Sequence, residues 1–145
     1  LISTVLGSCV AVCIFDRLRK WGGMSHFLFP KAGRKGRPTP QYGNLAIPVL
    51  IRLLRKQGSQ VENLEAQIFG GGKQSLEDSS SIGWRNVKIA RKILKNYDVP
   101  LVSEDIGGVK GRRILYHTVT NEAIVMRTAK IRQGDWFPYH ERLSV

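Results

Sequence analysis

At 145 residues the chain is long enough for one domain with a real core and short for two. An apolar content of 42% excludes a chain too polar to fold, and no apolar run reaches the roughly 18 to 20 residues that span a bilayer. A balance of 23 Lys+Arg against 11 Asp+Glu, net +12, favours capture of acidic partners without saying whether they are nucleic acid, anionic lipid or protein.

The basic residues are scattered over 31–37, 52–56, 85–95, 110–113 and 127–132, so no single arginine-rich helix or tail stands out. Only two cysteines occur, Cys9 and Cys13. On one strand they would lie roughly 13 Å apart, beyond disulfide reach. That argues against a disulfide framework and for a reducing cytoplasm. The chain opens on Leu1 rather than Met, so it reads as trimmed, with a preceding leader or strand left open.

Residues 1–6 and 9–15 read as β-strands rich in Val, Ile, Leu and Phe, separated by a Gly-Ser break. Residues 16–20 are charged and suit a turn. Residues 22–29 form the next strand, closed by Pro30. Residues 31–41 are rich in Gly, Pro and Arg without an apolar period, and read as a mobile loop. A helix follows over 45–57, with Ala46, Val49, Leu50, Leu53 and Leu54 as its apolar stripe and Arg52, Arg55 and Lys56 opposite. Pro48 requires that it sit in the first turn; Asn44 suits the N-cap and Gly58 the C-cap.

Residues 64–69 read as a strand running into Gly70-Gly71-Gly72. Residues 78–81 offer caps for a second helix over 82–97, with Val87, Ala90, Leu94 and Tyr97 as its stripe and Ile89 and Ile93 beside it. After Pro100 come strands at 101–106, 113–118 and 123–127, the last two joined by a turn at Thr120-Asn121-Glu122. The predicted fold class is α+β: a single domain over 1–145 with one mixed β-sheet and two main helices packed on it. The role of the 131–145 tail is undetermined.

The chemistry concentrates near the N-terminus. Cys9 follows Gly7-Ser8 at the mouth of one apolar run, and His26 lies inside another. With the hairpin turn centred between Leu18 and Arg19, Phe15 faces Gly22 and Cys9 faces Leu28. His26 is then a diagonal neighbour of Cys9 on the same face, about 7–8 Å away at Cα; a half-step shift of register would put them on opposite faces. A thiol beside an imidazole is the minimum apparatus for covalent acyl transfer, since the base removes the thiol proton. Gly7 allows a sharp turn that aims an N–H of the Gly7-Ser8 segment at an oxyanion, and Ser3, Thr4 or Ser8 could orient the far nitrogen of His26.

Against this stands the plainer reading, in which both residues are buried structural groups; spacing alone leaves the two open. Cys13, inside Val-Ala-Val-Cys-Ile, reads as a small packing residue. No metal or cofactor is expected: the cysteines lie too far apart on a strand, and His117 and His140 have no cluster at ligand spacing. Gly70-Gly71-Gly72-Lys73 lacks the spacing of a phosphate loop. With Asn86 at a helix start and Gly107-Gly108 at a strand turn, these glycines read either as turn chemistry or as turns surrounding a Cys–His pocket.

Taken together, Leu6-Gly7-Ser8-Cys9-Val10-Ala11-Val12, Gly22-Gly23-Met24-Ser25-His26-Phe27-Leu28-Phe29-Pro30, Tyr42-Gly43, Ile68-Phe69-Gly70-Gly71, Ile82-Gly83-Trp84-Arg85-Asn86 and Asp105-Ile106-Gly107-Gly108-Val109-Lys110-Gly111-Arg112 resemble the CheD family of chemoreceptor glutamine deamidases. The motifs run in the family's order over nearly the whole chain. The resemblance implies a cysteine-hydrolase-like α/β sandwich, Cys9 as nucleophile and His26 as its base, and a third hydroxyl upstream, Thr4 first and Ser3 second. It implies a cytoplasmic enzyme that converts receptor glutamines to glutamate and releases ammonia.

Implied partners are the cytoplasmic domain of methyl-accepting chemoreceptors and a CheC-like phosphatase, with neither nucleic acid nor membrane insertion. A non-catalytic module docking on that phosphatase is the alternative. Nucleic-acid binding rests on charge alone, without an aromatic-interleaved motif. The basic 31–41 loop and the tail, with Trp136 and Tyr139, depart from the family pattern.

Overall fold

Which strand neighbours which follows from how each apolar run is covered. The computed structural model describes residues 1–32, 39–74 and 82–136. In chain order the elements are β1 (Ile2–Leu6), β2 (Val10–Asp16), β3 (Trp21–Phe27), α1 (Gly43–Lys56), a 3-10 turn (Val61–Asn63), β4 (Leu64–Gly70), α2 (Ile82–Asn96), β5 (Leu101–Ile106), β6 (Gly111–Tyr116), β7 (Ala123–Thr128) and a short α3 (Gln133–Trp136).

The strands form two sheets, not the single mixed sheet expected: β3-β2-β4-β5 and β1-β6-β7. β1 is antiparallel to β6, with Thr4 opposite Ile114, and the larger sheet is antiparallel except for the parallel β4–β5 pair. A connection that returns a strand parallel needs a crossover, and α2 supplies it.

All seven residues of β2 are buried because both faces of its sheet are covered. Val10, Val12 and Ile14 point to one side, where Ile47, Ile51, Val87, Ala90 and Leu94 of the helices close over them. Cys9, Ala11 and Cys13 point to the other, against Leu6, Ile114 and Tyr116 of the smaller sheet. The molecule is therefore layered helix, sheet, sheet. The chain crosses between sheets from β1 to β2 through Gly7-Ser8 and from β5 to β6 through Gly107-Gly108, whose φ angles are +75° and +70°. Only glycine occupies that region at little cost.

The β2–β3 hairpin has the expected register: Phe15 faces Gly22 and Val10 faces Phe27. Asp16 anchors its turn, its carboxylate accepting the Leu18 and Arg19 N–H groups at 2.9 Å each. A side-chain network ties the sheets at the opposite edge of the core. Asn121, at φ +64°, accepts the Tyr116 hydroxyl (2.9 Å) and the Gln67 amide (3.0 Å) and donates to Glu65 (2.9 Å).

Three local expectations change. α1 starts at Gly43 with Tyr42 rather than Asn44 at the N-cap, and Pro48 lies in its second turn. Its buried stripe is Gly43, Ala46, Ile47, Ile51 and Leu54, whereas Val49 and Leu53 are exposed. Apolar residues surround much of this helix, and the close seat of Gly43 on the Phe27 ring, 2.7 Å from where a Cβ would stand, sets which ones turn inward. Tyr97 falls beyond the end of α2 and is 37% exposed instead of completing its stripe. β6 runs two residues earlier than expected because the turn begins at His117, whose Nδ1 accepts the Val119 and Thr120 N–H groups at 3.3 Å. The caps expected at 78–81, most of the 31–41 loop and the tail from 137 lie outside the described residues.

Candidate active site

Cys9 sits at the sheet-crossing end of β2, 3% exposed, one residue before the strand begins. Its loop is held by backbone. Gly71 N–H donates to the Cys9 carbonyl at 2.8 Å and Gly72 N–H to the Gly7 carbonyl at 2.9 Å. Gly70 and Gly71 have φ of +107° and +67°, and a Cβ on Gly70 would collide with the Cys9 carbonyl oxygen. A Cβ on Gly71 would stand 2.5 Å from Val87, and one on Gly83 would stand 2.5 Å from the Gly71 and Gly72 carbonyls. These glycines let the start of α2 lie directly on the turn. The left-handed conformations near the thiol thus fall at Gly70 and Gly71, not at Gly7.

The second glycine turn joins the first. Gly107 N–H donates to the Gly70 carbonyl and Lys73 N–H to the Gly108 carbonyl, both at 2.9 Å. Asn86, wholly buried, donates its amide to the carbonyls of Ser8 and Leu28, 3.0 Å each. It therefore braces the residue before Cys9 against the strand end that follows His26. Its Oδ1 has no hydrogen-bond partner among the described residues. The Ser8 hydroxyl donates to the Trp136 carbonyl, so that hydroxyl points into the protein and not toward His26.

His26 faces Ala11 in the hairpin, whose pairing ends at Val10 opposite Phe27, one residue short of Cys9; Cys9 and Ala11 pack in the same cluster, which puts the thiol on the face that carries His26. The imidazole is exposed while the thiol lies beneath the surface. The two sheets meet at this histidine: Thr4 Oγ1 on β1 and His26 Nδ1 on β3 are 3.0 Å apart in a hydrogen bond. Strand alternation places Thr4 on the same face as buried Leu6, while Ser3, on the other pleat, is exposed. The hydroxyl that reaches the imidazole is that of Thr4.

The rest of the cluster is held by charge. Arg112, 2% exposed, donates to Asp105 at 2.7 Å and to the Gly107 carbonyl at 2.8 Å, fastening the second glycine turn. Arg127 also reaches Asp105, at 3.1 Å. Burial alone would raise the Asp105 pKa. The hydrogen bonds and positive charges of Arg112 and Arg127 outweigh it and leave the carboxyl below its ordinary range. Cys13 is different: burial pushes its thiol far up, so it stays protonated, and it makes no disulfide with Cys9.

All of the glycine turns named in the sequence thus converge on the Cys9 loop, and Asn86 acts there as a brace. Sequence reasoning missed Arg112 and Trp136. The polar Asn86 beside Val87 on a buried helix face was a readable signal of a committed buried amide. Nothing local marked Trp136, which meets Ser8 across 128 residues of sequence.

The chain matches the family model described as CheD chemotactic sensory transduction over residues 28–127, from just after His26 to β7. It is 38% identical over 128 residues to the probable chemoreceptor glutamine deamidase CheD of Trichlorobacter lovleyi, covering 87% of this chain and 80% of that one. It is 37% identical over 127 residues to the chemoreceptor glutamine deamidase CheD of Thermotoga maritima, covering 88% and 81%. A Janthinobacterium relative, also named a probable chemoreceptor glutamine deamidase, is 40% identical over 139 residues, covering 92% and 68%. A family match over 28–127, with relatives aligned over most of both chains, establishes the descent: the chain belongs to the CheD family.

Proposed function

We propose that this chain is a protein-glutamine deamidase that acts in the cytoplasm on the cytoplasmic domain of methyl-accepting chemoreceptors. The observation that carries the reading is the Thr4–His26 hydrogen bond of 3.0 Å, made across the two sheets between β1 and β3. In the tautomer whose Nδ1–H donates to Thr4, Nε2 is left free of a proton to act as the base. A two-sheet sandwich with a thiol at the sheet crossing supports the cysteine-hydrolase-like arrangement that the family resemblance implies.

In the reaction, His26 takes the Cys9 proton and the thiolate attacks the side-chain carbonyl carbon of a receptor glutamine. Main-chain N–H groups of the Gly7-Ser8-Cys9 turn meet the oxyanion. The carbon–nitrogen bond then breaks, and the nitrogen leaves as ammonia with the proton carried by His26. Water, deprotonated by His26, attacks the thioester; the thiolate departs and glutamate remains. A docking role toward a CheC-like phosphatase belongs to the same resemblance and is separable from the thiol chemistry.

The test is mass spectrometry of a purified receptor cytoplasmic fragment with and without the protein. Each converted glutamine gains about one dalton as amide nitrogen is exchanged for oxygen. A fragment of unchanged mass after prolonged incubation, with ammonia undetected, would overturn the reading.

A further inference from the structure

α2 carries no acidic residue from Ile82 to Asn96. Arg85, Lys88, Ile89 and Lys92 recur at the spacing that places residues on one helix face. With Pro30, Lys31 and Ala32 they line a cleft of about 480 Å³. The four cations are exposed, and Ile89 is half-buried between them against the core.

None of these four cations forms an ion pair among the described residues, whereas Arg91, elsewhere on the same helix, pairs with Glu104 at 2.6 Å. Like charges three and four residues apart repel one another, so this face weakens its own helix until something negative covers it. The described lining includes an isoleucine and no aromatic ring. That suits the apolar seam of an amphipathic helix better than stacked bases. The eight residues from Arg85 to Lys92 present the cations over about 10 Å, two turns of a facing helix.

Two stretches of chain lead from the cleft to the Cys9 loop and to His26. Pro30 lies on the segment that leaves β3 four residues beyond His26. Asn86, next to Arg85, holds the carbonyls of Ser8 and Leu28. We propose that this cleft docks an acidic helical segment of the protein substrate. Carboxylates on successive turns meet Arg85, Lys88 and Lys92, an apolar side chain covers Ile89, and a glutamine on a neighbouring stretch is brought to Cys9. The deamidase reading supplies the substrate's identity; the groove's existence does not depend on it.

The experiment measures binding apart from turnover. A fluorescently labelled receptor cytoplasmic fragment is titrated with Cys9→Ala protein across a salt series. The double variant Lys88→Glu, Lys92→Glu on that background should bind roughly tenfold more weakly and show a flatter salt dependence. The control, Arg52→Glu with Lys56→Glu, makes the same change in net charge on exposed positions of α1. It should lose no more than about threefold, because long-range steering alone is screened at physiological salt.

Equal losses in both variants would overturn the groove and leave only net charge. So would a DNA duplex or a phosphatidylserine vesicle that depends on Lys88 and Lys92 while the receptor fragment does not. In turnover by protein with Cys9 intact, the groove variant should raise KM for the fragment roughly tenfold. If the wild type releases no ammonia, the deamidase reading fails, and the binding series still decides the groove.

Discussion

Cys9 and Cys13 lie on one run of chain, four residues apart, point to the same face and are almost equally hidden, at 3% and 0% exposure. Burial therefore does not distinguish them; their neighbours do. Cys13 is mid-strand, opposite Met24 on β3 and Gln67 on β4, and desolvation holds its thiol protonated. Cys9 is at the strand mouth, where the Gly71 N–H, at positive φ, donates to its carbonyl and where the exposed imidazole of His26 stands opposite Ala11, two residues along. The nucleophile proposed here is therefore the thiol at the end of the strand, not the one within it.

The sharpest way to break this comparison is to remove each thiol in turn. Cys9→Ala should lower the rate of ammonia release by at least roughly a thousandfold, since the chemistry cannot begin without a nucleophile, while the circular dichroism spectrum is retained. Cys13→Ser should leave turnover within about threefold but cost about 1–3 kcal/mol in denaturant unfolding, because a hydroxyl replaces a thiol in an apolar interior. Cys9→Ala protein with wild-type turnover would reverse the assignment.

Asn86→Ala comes next in effect. It leaves the Ser8 and Leu28 carbonyls without their 3.0 Å donor, and should cost about 2–4 kcal/mol in urea unfolding together with a fall in kcat. Intact stability in that variant would show that the brace is not needed to hold the mouth of β2.

Thr4→Ala should lower kcat by roughly ten- to hundredfold with little change in KM, as expected for a group that orients the base. Thr4→Ser should restore most of the loss, and Ser3→Ala should stay within about twofold because its side chain lies on the other pleat. If Ser3→Ala is the more damaging, the smaller sheet presents its other face to His26.

The smallest effect is the acid limb of stability. The Asp105 pKa is lowered in the folded protein by Arg112 and Arg127. Its contribution is therefore complete above the ordinary carboxylate pKa of about 3.9 and is lost as pH falls through the lower folded value. Asp105→Asn should flatten the Tm-against-pH curve below about pH 4, without abolishing it because the Asp16 carboxyl is lowered as well. An unaltered acid limb would remove Asp105 from the account.

The register of the β2–β3 hairpin was legible because its turn is short, and a short turn fixes register: Phe15 opposite Gly22 needed only the loop length. The glycine turns were legible as turns and, in one of two readings left open, as surrounding the Cys9 loop; the backbone hydrogen bonds that join them were not. What local sequence could not carry was the split into two sheets. β1 pairs with β6 across more than a hundred residues, and no propensity in Ile2–Leu6 names that partner. The choice between Thr4 and Ser3 failed to resolve for the same reason: it depends on which pleat the packed sheets turn toward His26. On α1, apolar residues on several faces concealed which stripe would be buried, so Ile47 and Ile51 were missed and Leu53 wrongly included.

The most direct test is to catch the intermediate. Wild-type protein is mixed with a receptor fragment, acid-quenched during the first turnover and digested, and the residue bearing the acyl group is located by tandem mass spectrometry. The account predicts a thioester on Cys9 that disappears in His26→Ala protein and is absent from Cys13. An acyl group on Cys13, or ammonia released at the normal rate with neither cysteine modified, would contradict it.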